Sequence, residues 1–397
     1  MIDIKSQIIK PALDLEDLKV VALAEGWKLT DLRSLGFFLN RNFKYRRKIT
    51  ITEQSGSDLT DYQVLIELNS TNFLFEHAQT NGEDIRFTDA NGNLLSYWIE
   101  EWDAVNESAK VWVKVPSIPA DSSIEIFMYY GNSEITSASD ASATFIRIIE
   151  GLILSWHFDE GSGTTVYDSS GNDRDGIIYG ATWTDGKYGK CLSFDGNDDY
   201  VEDADAENYL EGLTEITVCM WIKSDITGTD KAFISAREAE TGDRVLTIRY
   251  DASGYFGGGT NVIKAAFGGT SDDTCSQYES SSNVQTTEWQ HIAATWVGGN
   301  APKLYINGVE DTPTYTSNNG TMISGVDTLR IGCRGTGDYW DGLIDEVFIF
   351  NKALTSEEIS DLYNNYGYTT ENYPGKVLVR KYTEPEPSIF IGAEETA

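Results

Sequence analysis

Acidic and amide side chains gather on turns in the middle of the chain, in a pattern that suits a calcium ion. Between residues 152 and 202, two apolar runs enclose a loop rich in Gly, Asp, Asn and Ser, and a strand ends in an Asp-Gly-Asn-Asp-Asp turn. Calcium takes about 6–8 oxygen ligands at flexible geometry, which closely spaced Asp and Asn residues supply. The predicted ligands of a structural calcium are Asp168, Asn172, Asp195, Asp198 and, on a later strand, Asp345. Alternatively, these side chains form Asx turns with their own backbone.

Two glycine-rich loops, at residues 251–259 and 334–340, would shape a groove for a sugar. Sugar binding uses exposed aromatic rings that stack on the sugar face, together with Asp, Asn or Arg side chains that hold its hydroxyls. The tryptophans of strands, such as Trp112, Trp221 and Trp296, are expected in the cores. The predicted ligand-binding residues are Tyr255, Tyr278, Arg334, Asp338, Tyr339 and Trp340. In the alternative, these loops only turn the chain and cover the edge of a sheet.

The charge of the chain is strongly one-sided. Its 397 residues include 63 acidic and 30 basic side chains, which gives a net charge of −33. Such a surface repels phosphate backbones, which argues against a nucleic-acid partner. The cysteines at 191, 219, 275 and 333 follow no Cys-x-x-Cys spacing, which argues against zinc. The cysteines are either four buried thiols or form one or more disulfides, and both alternatives remain open.

The first 41 residues differ from the rest, because their apolar positions recur at helical spacing. We expect a short helical segment that either packs on the next domain or serves in docking and oligomerisation, which would make the protein a homo-oligomer or part of a larger assembly. The segment lacks the pattern of a signal peptide, and no stretch of about 20 apolar residues predicts membrane insertion. A surface module without a signal would be a fragment, a product of non-standard export, or a virion component released by lysis.

Period-two alternation and Asn-Gly turns predict that most of the chain is antiparallel β-sheet. Residues 42–145 predict a small β-sandwich, and a small, polar stretch at 133–144 reads as a linker. Residues 150–367 predict a second, larger sandwich that ends in a helix with a capping box, Thr355 or Ser356 with Glu358. The tail at 368–397 holds two more strands, and one interpretation is that they complete the first sandwich. The predicted fold is thus mainly β, with two tandem sandwiches behind a helical segment.

A series of motifs runs through the second sandwich in a fixed order. They include Trp156-x-Phe158-Asp159-Glu160, Asp168-x-Ser170-Gly171-Asn172, Phe194-Asp195-Gly196, Trp289-x-His291-x-Ala293 and Ile344-Asp345-Glu346-Val347. Their order and spacing resemble a laminin-G-like, concanavalin-A-like lectin domain. The resemblance implies a jelly roll, and a structural calcium is frequent in such domains.

A second set of motifs covers the first sandwich almost completely. It includes Tyr45-Arg46-Arg47-x-Ile49, Asp84-Ile85-Arg86-Phe87, Tyr97-Trp98-Ile99-Glu100, Val111-Trp112-Val113 and Met128-Tyr129-Tyr130-Gly131-Asn132. These motifs resemble an uncharacterised family, domain of unknown function 2341. Members of that family commonly precede a lectin-like sandwich in secreted, cell-surface or viral proteins, and they carry no agreed activity. The resemblance therefore implies where such a domain occurs, and it implies no activity for it.

The sequence gives little support for catalysis. Glycosidases with the lectin-like fold carry a strand with Glu-x-Asp-x-x-Glu, and no such hexapeptide occurs here. Asp345 and Glu346 are adjacent on a predicted strand, where neighbouring side chains face opposite ways. His157 and His291 lie in strand motifs, where packing is the expected role. We therefore expect no enzyme, with a glycoside hydrolase as the catalytic alternative.

Together these patterns predict a non-catalytic adhesion protein that binds a glycan or a host-surface receptor. Its expected location is a virion, of a phage or an archaeal virus, or an extracellular surface, as a receptor-binding or surface-attached structural protein. The alternatives are a prokaryotic cell-surface adhesin and a purely architectural subunit of a shell or fibre.

Overall fold

The computed structural model describes residues 42–237, 245–254, 257–269, 271 and 273–397. The predicted helical segment at 1–41 and the predicted ligand residue Tyr255 lie outside these described residues. The described chain divides into two compact units. The first unit combines residues 42–148 with residues 380–397, and the second unit is residues 149–379.

The first unit is built from two antiparallel sheets. Its strands are β1 (Tyr45–Thr52), β2 (Leu59–Asn69), β3 (Arg86–Asp89), β4 (Leu94–Leu95), β5 (Tyr97–Asp103), β6 (Ser108–Ile118), β7 (Ser123–Tyr130) and, at the end of the chain, β28 (Ser388–Thr396). Sheet 1 has the order β28-β1-β7-β3-β4, and sheet 2 has the order β2-β6-β5. A 3-10 turn, Phe75–His77, and a short helix α1, Ala141–Thr144, complete the unit.

Alternating apolar residues from both sheets form one core in the first unit. Ile49 and Ile51 of β1 are fully buried with Val111 and Val113 of β6. Because a strand turns successive side chains to opposite faces, Lys48 and Thr50, which alternate with these isoleucines, point away from this core and are only half-buried. Strand β28 pairs antiparallel with β1, from Tyr45 opposite Thr396 to Thr52 opposite Ser388. The end of the chain is therefore part of sheet 1, and the second unit is inserted between β7 and β28.

The second unit is larger and again mainly antiparallel. Its strands are β8 (Arg147–Glu150), β9 (Leu152–Trp156), β10 (Thr165–Val166), β11 (Gly176–Tyr179), β12 (Thr182–Asp185), β13 (Lys190–Asp195), β14 (Tyr200–Asp203), β15 (Glu215–Ser224), β16 (Lys231–Arg237), β17 (Leu246–Asp251), β18 (Val262–Phe267), β19 (Ser276–Glu279), β20 (Gln290–Val297), β21 (Lys303–Ile306), β22 (Val309–Glu310), β23 (Tyr315–Thr316), β24 (Thr328–Ile331), β25 (Asp341–Phe350), β26 (Tyr366–Tyr368) and β27 (Lys376–Arg380). Its helices are α2 (Glu207–Leu210) and α3 (Ser356–Asn364).

These strands form two large sheets and one small one. Sheet 3 has the order β10-β11-β14-β24-β16-β17-β18-β19-β23, and sheet 4 has the order β12-β13-β25-β15-β20-β21-β22 with β9 added to β25. A small sheet 5 has the order β26-β27-β8. The main core lies between sheets 3 and 4, where residues such as Ile178, Val201 and Ile331 pack against Val218 and Ile344.

The opposite face of sheet 4 is also covered. Ile359 and Leu362 of α3 join Phe348, Phe350 and other side chains in a second cluster. The predicted capping box is present, since the Thr355 side chain accepts from the Glu358 backbone while the Glu358 side chain accepts from the Thr355 backbone. The four cysteines, at positions 191, 219, 275 and 333, are all buried thiols. Among the described residues, no helix is long and apolar enough to cross a membrane.

Candidate functional site

Three carboxylates meet on the turn that joins β13 to β14, which we call the acidic loop (residues 195–199). One oxygen each of Asp195, Asp198 and Asp199 lies within 4.8 Å of the others. Oxygens that share a calcium at about 2.3–2.6 Å can be up to about 5 Å apart, so this spacing fits a cation. Burial raises the pKa of Asp199, and the charges of Asp195 and Asp198 raise it further. A bound cation would relieve that repulsion.

Of the other predicted calcium ligands, Asp168 and Asp345 are not part of this group of carboxylates, and Asp168 and Asn172 have other partners. Both oxygens of Asp168 accept hydrogen bonds, from Ser155 N at 2.9 Å, Ser170 N at 3.0 Å, Ser170 Oγ at 2.7 Å and Arg174 N at 3.1 Å. The Asn172 amide donates to Ser170 Oγ at 2.8 Å. Asp168 and Asn172 therefore hold a turn, as in the Asx alternative.

Asp345 is fully buried on β25, away from the acidic loop. Its Oδ2 accepts from Lys187 N at 2.7 Å and from Tyr188 N at 3.1 Å. Burial raises the pKa of this carboxyl well above its usual range, and the neighbouring Glu346 raises it further. Glu346 in turn contacts His157 Nδ1 at 2.8 Å, and His157 Nε2 contacts Thr369 Oγ1 at 2.7 Å. This buried network ties β25 to β9 and to the segment after β26.

Two tyrosines form a stacked pair on the face of sheet 3 that points away from the core. Tyr179 of β11 lies opposite Tyr200 of β14, while their neighbours Ile178 and Val201 point into the core. The two rings are 4.6 Å apart with 18° between their planes. Tyr179 is 43% exposed. We call this pair the tyrosine platform.

Charged groups adjoin the tyrosine platform. The Arg330 guanidinium lies 4.8 Å from the centre of the Tyr200 ring and donates from Nε to Glu202 Oε2 at 2.7 Å. Burial raises the pKa of Tyr200, whereas Arg330 lowers it. Gly180, next to Tyr179, packs so closely on Asp199 that a Cβ there would collide with Asp199 Oδ1. The platform and the acidic loop are thus parts of one surface.

Further along the same face, charged side chains form a compensated network. Arg249 and Lys264 contact Asp251 Oδ2 at 2.6 and 3.1 Å, and Lys264 also approaches Glu279 at 3.8 Å. Two predicted ligand residues, Arg334 and Asp338, belong to this network. Asp338 lies 2.8 Å from Arg334 and 3.8 Å from Arg249, and the Arg334 and Asp338 side chains are each 24% exposed.

Two aromatic residues predicted to bind a ligand are buried, which corrects the prediction that they are exposed. Trp340 has no exposed surface, packs edge-on against Phe233 and Tyr250, and donates from Nε1 to Leu343 O at 3.2 Å. Tyr278 is on β19, and its hydroxyl donates to Asp311 O at 2.7 Å. Neither ring can stack on a sugar in this structure. Tyr339, beside Trp340, is half-buried.

The surface that the tyrosine platform and the acidic loop form together has the groups that sugar recognition uses. An open aromatic face suits the apolar side of a sugar ring, and Arg330 and Glu202 can donate to and accept from hydroxyls. Tyr179 and Tyr200 are absent from the predicted ligand-binding residues, because aromatic residues on strands were expected in the core and those on loops at the site. The alternation in their strands, with Ile178 and Val201 inward, is the signal that would have found them.

Comparison with known families agrees with both resemblances and their order. Residues 81–184 match the domain of unknown function (DUF2341), and residues 195–360 match the concanavalin A-like lectin/glucanases superfamily. The second unit thus has a lectin-like fold. No curated protein matches the chain.

Three solved structures match just over half of the chain. Domain 4 of the extracellular arabinanase AbnA from Geobacillus stearothermophilus, solved with arabinotriose, is 24% identical over 54% of this chain and 98% of its own, with a TM-score of 0.42. The binding domain of Paraclostridial Mosquitocidal Protein 1 is 15% identical over 56% of this chain and 55% of its own, with a TM-score of 0.44. A chain of botulinum neurotoxin type C is 16% identical over 54% of this chain and 51% of its own, with a TM-score of 0.42.

Proposed function

Because residues 195–360 match the concanavalin A-like lectin/glucanases superfamily and come after a match to DUF2341 at residues 81–184, we propose that this protein is a non-catalytic, glycan-binding surface protein. Its glycan site is the tyrosine platform. The observation that carries the proposal is the stacked pair of Tyr179 and Tyr200 on the outward face of sheet 3, with Tyr179 43% exposed. A large aromatic ring held open to solvent beside an ion pair is the arrangement that sugar stacking requires.

The platform is rigid before a ligand arrives. The Tyr179 and Tyr200 backbones are held in register between β11 and β14, and β14 is held by β24. Arg330 on β24 is fixed by Glu202 at 2.7 Å and donates to Gly335 O at 2.7 Å. Groups that are already ordered lose little conformational entropy on binding, which favours affinity.

Tyr179→Ala is expected to weaken glycan binding about tenfold, or ~1.4 kcal/mol, because it removes the open stacking face. The measurement is titration of the whole chain with the best ligand of a glycan panel. Tyr167→Ala is the matched control, because Tyr167 lies in the same unit, is 61% exposed and is not part of the platform. That control should bind like the original protein.

The result that overturns the glycan site is unchanged affinity in Tyr179→Ala. If the folded chain binds no glycan in the panel, the lectin function itself fails. The architectural alternative would then gain support from assembly into large oligomers. The segment to which the sequence assigned assembly, residues 1–41, lies outside the described residues.

We further propose that the acidic loop holds a calcium ion that orders the turn beside the platform. Asp195, Asp198 and Asp199 provide oxygens within 4.8 Å of one another. Asp199 also accepts from Asp195 N at 2.9 Å, so the ion would fix the loop that leads into β14. Calcium there would hold the backbone next to Tyr200.

Calcium is expected to raise the melting temperature of the second unit by about 5–10 °C at ~100-fold above its dissociation constant, since binding to the folded state then adds about 2.7 kcal/mol. Asp199→Asn should abolish the shift. Asp205→Asn, an exposed acid outside the acidic loop, should retain it. Equal melting curves with calcium and with chelator would refute the calcium site.

The hydrolase alternative concerns Asp251 and Glu279. Their oxygens lie 3.1 and 3.8 Å from the same Lys264 Nζ, so these two oxygens are no more than 6.9 Å (3.1 + 3.8) apart. A glycosidase needs one of its two carboxyls protonated as the acid. Although burial opposes its charge, Arg249 and Lys264 lower the pKa of Asp251. Glu279 is only 1% exposed and accepts from Gly257 N at 3.1 Å. Both observations favour a structural network and a non-catalytic protein.

The location that we propose is the surface of a virion, where the protein would bind a glycan or a host receptor. A prokaryotic cell surface is the alternative. The support is the domain pair itself, because the resemblance to both families implies surface proteins of viruses and cells.

A further inference from the structure

A small cavity opens on the first unit, for which neither matched family supplies a function. Its volume is about 170 Å³. That is well below the ~300–1,000 Å³ of a drug-sized pocket. Its walls include Lys44, Tyr45, Glu76, His77, Gln79 and Ser133. The space suits one small ring.

His77 is held in one orientation at the cavity wall. Its ring stacks on Tyr45 at 4.0 Å with 4° between the planes. Its Nδ1 lies 3.0 Å from both oxygens of Glu394. Glu394 also accepts from the Tyr130 hydroxyl at 2.7 Å, and that hydroxyl accepts from Arg47 Nε at 3.1 Å.

The contact with Glu394 determines the role of the other ring nitrogen. A carboxylate only accepts hydrogen bonds, so Nδ1 carries the proton of a neutral imidazole. Nε2 is then an acceptor for a hydroxyl group of a ligand. Glu394 orients the His77 ring, and Tyr130 and Arg47 in turn hold Glu394, so these three are positioning residues for His77.

The remaining wall is held by a buried carboxylate. Asp84 has no exposed surface and accepts from Gln79 N at 2.9 Å, Gly131 N at 2.6 Å and Asn132 N at 2.9 Å. A Cβ at Gly131 would lie 2.7 Å from the Tyr45 ring, so only glycine permits that ring position. Asp84 therefore shapes the cavity and has its oxygens occupied.

We propose that this cavity binds a single monosaccharide-sized ring with several hydroxyl groups. The residues that line it combine donors with acceptors, because a Lys44 ammonium can donate, a Glu76 carboxylate can accept, and Nε2 of a neutral His77 can accept. Hydroxyls match such a mixture because each can donate and accept. An anion would face Glu76 and a chain of net charge −33. In the described part of the chain, the acidic loop is the grouping with metal-ligand spacing, which argues against a metal ion here.

The test uses the whole chain with ¹⁵N-labelled histidine, because the protein has only 3 histidines. His77→Asn assigns the His77 ring signals. The probes are the methyl glycosides of glucose, galactose, mannose and N-acetylglucosamine, with inorganic phosphate and acetate as anion probes. We expect at least one glycoside to shift His77 Nε2 saturably while His157 and His291 stay unchanged.

Glu76→Gln should weaken that binding at least tenfold, since Glu76 is an exposed acceptor at the cavity. Glu67→Gln, an exposed acid on β2 outside the cavity, should not. The proposal is overturned if no glycoside shifts His77, if only the anions do, or if both variants behave alike. Tyr179→Ala should retain the His77 response, so failure of this cavity and failure of the tyrosine platform are distinguishable.

Discussion

Trp340→Ala is expected to destabilise the second unit by about 3–5 kcal/mol, as is typical when a fully buried tryptophan is truncated. The indole has no exposed surface and fills the space between Phe233, at 5.0 Å, and Tyr250, at 5.3 Å. Its removal leaves a cavity, and Leu343 O loses the hydrogen bond that Trp340 Nε1 donates to it. The measurement is equilibrium urea unfolding of the whole chain, followed by fluorescence and circular dichroism.

This effect is large relative to the roughly 5–15 kcal/mol that stabilises a typical domain. Trp340→Phe should cost less, because it keeps an aromatic ring between Phe233 and Tyr250. Tyr167→Ala should change stability by less than about 0.5 kcal/mol, as is usual for exposed positions. A stable Trp340→Ala variant that loses glycan binding would contradict this view and return Trp340 to the binding site. Loss of stability together with binding would identify it as a core residue.

The contrast between Trp340 and Tyr339 shows where prediction from sequence ends. Both stand in a Gly-rich segment that looks like an exposed loop. Trp340 is buried because Phe233 and Tyr250, from strands distant in sequence, form its pocket. Local composition predicts a turn, but burial depends on which strands fold over it. The same limit applies to Tyr278, whose hydroxyl is satisfied by Asp311.

Patterns that depend only on neighbouring residues were predicted well. The alternation in residues 45–52 gave the strand Tyr45–Thr52, and the Thr355 and Glu358 pair gave the start of α3. Asp168 is the opposite case. Its spacing suits both a calcium ligand and an Asx turn, and the bond that it accepts from Ser170 N, together with those from Ser155 N and Arg174 N, favours the turn. The sequence alone does not encode which backbone N–H reaches a given carboxylate.

His291 is expected to make the second unit lose stability on acidification, with a loss of about 2–3 kcal/mol between pH 7 and pH 4.5. Burial of its ring on β20 lowers the pKa from 6.5 to about 3. In the unfolded chain His291 is therefore protonated below pH ~6.5, whereas in the folded chain it stays neutral down to pH ~3. Stability from this group is fully present above pH ~6.5 and falls as pH decreases through that window, by ~1.4 kcal/mol per unit.

His291→Phe isolates the contribution, because the other titrating groups remain in both proteins. At pH 7.5 the histidine is neutral in both states, so the difference in unfolding free energy between the two proteins reports packing against Trp221, 5.3 Å away, and Tyr363. Between pH 7.5 and pH 4.5 the unfolding free energy of the variant should fall by about 2–3 kcal/mol less than that of the original protein. Parallel pH profiles would mean that the ring is protonated inside the folded unit. That would require a partner for Nδ1, which has none among the described residues. His291 is therefore a buried packing residue, and the loss of stability caused by its protonation appears only in acid.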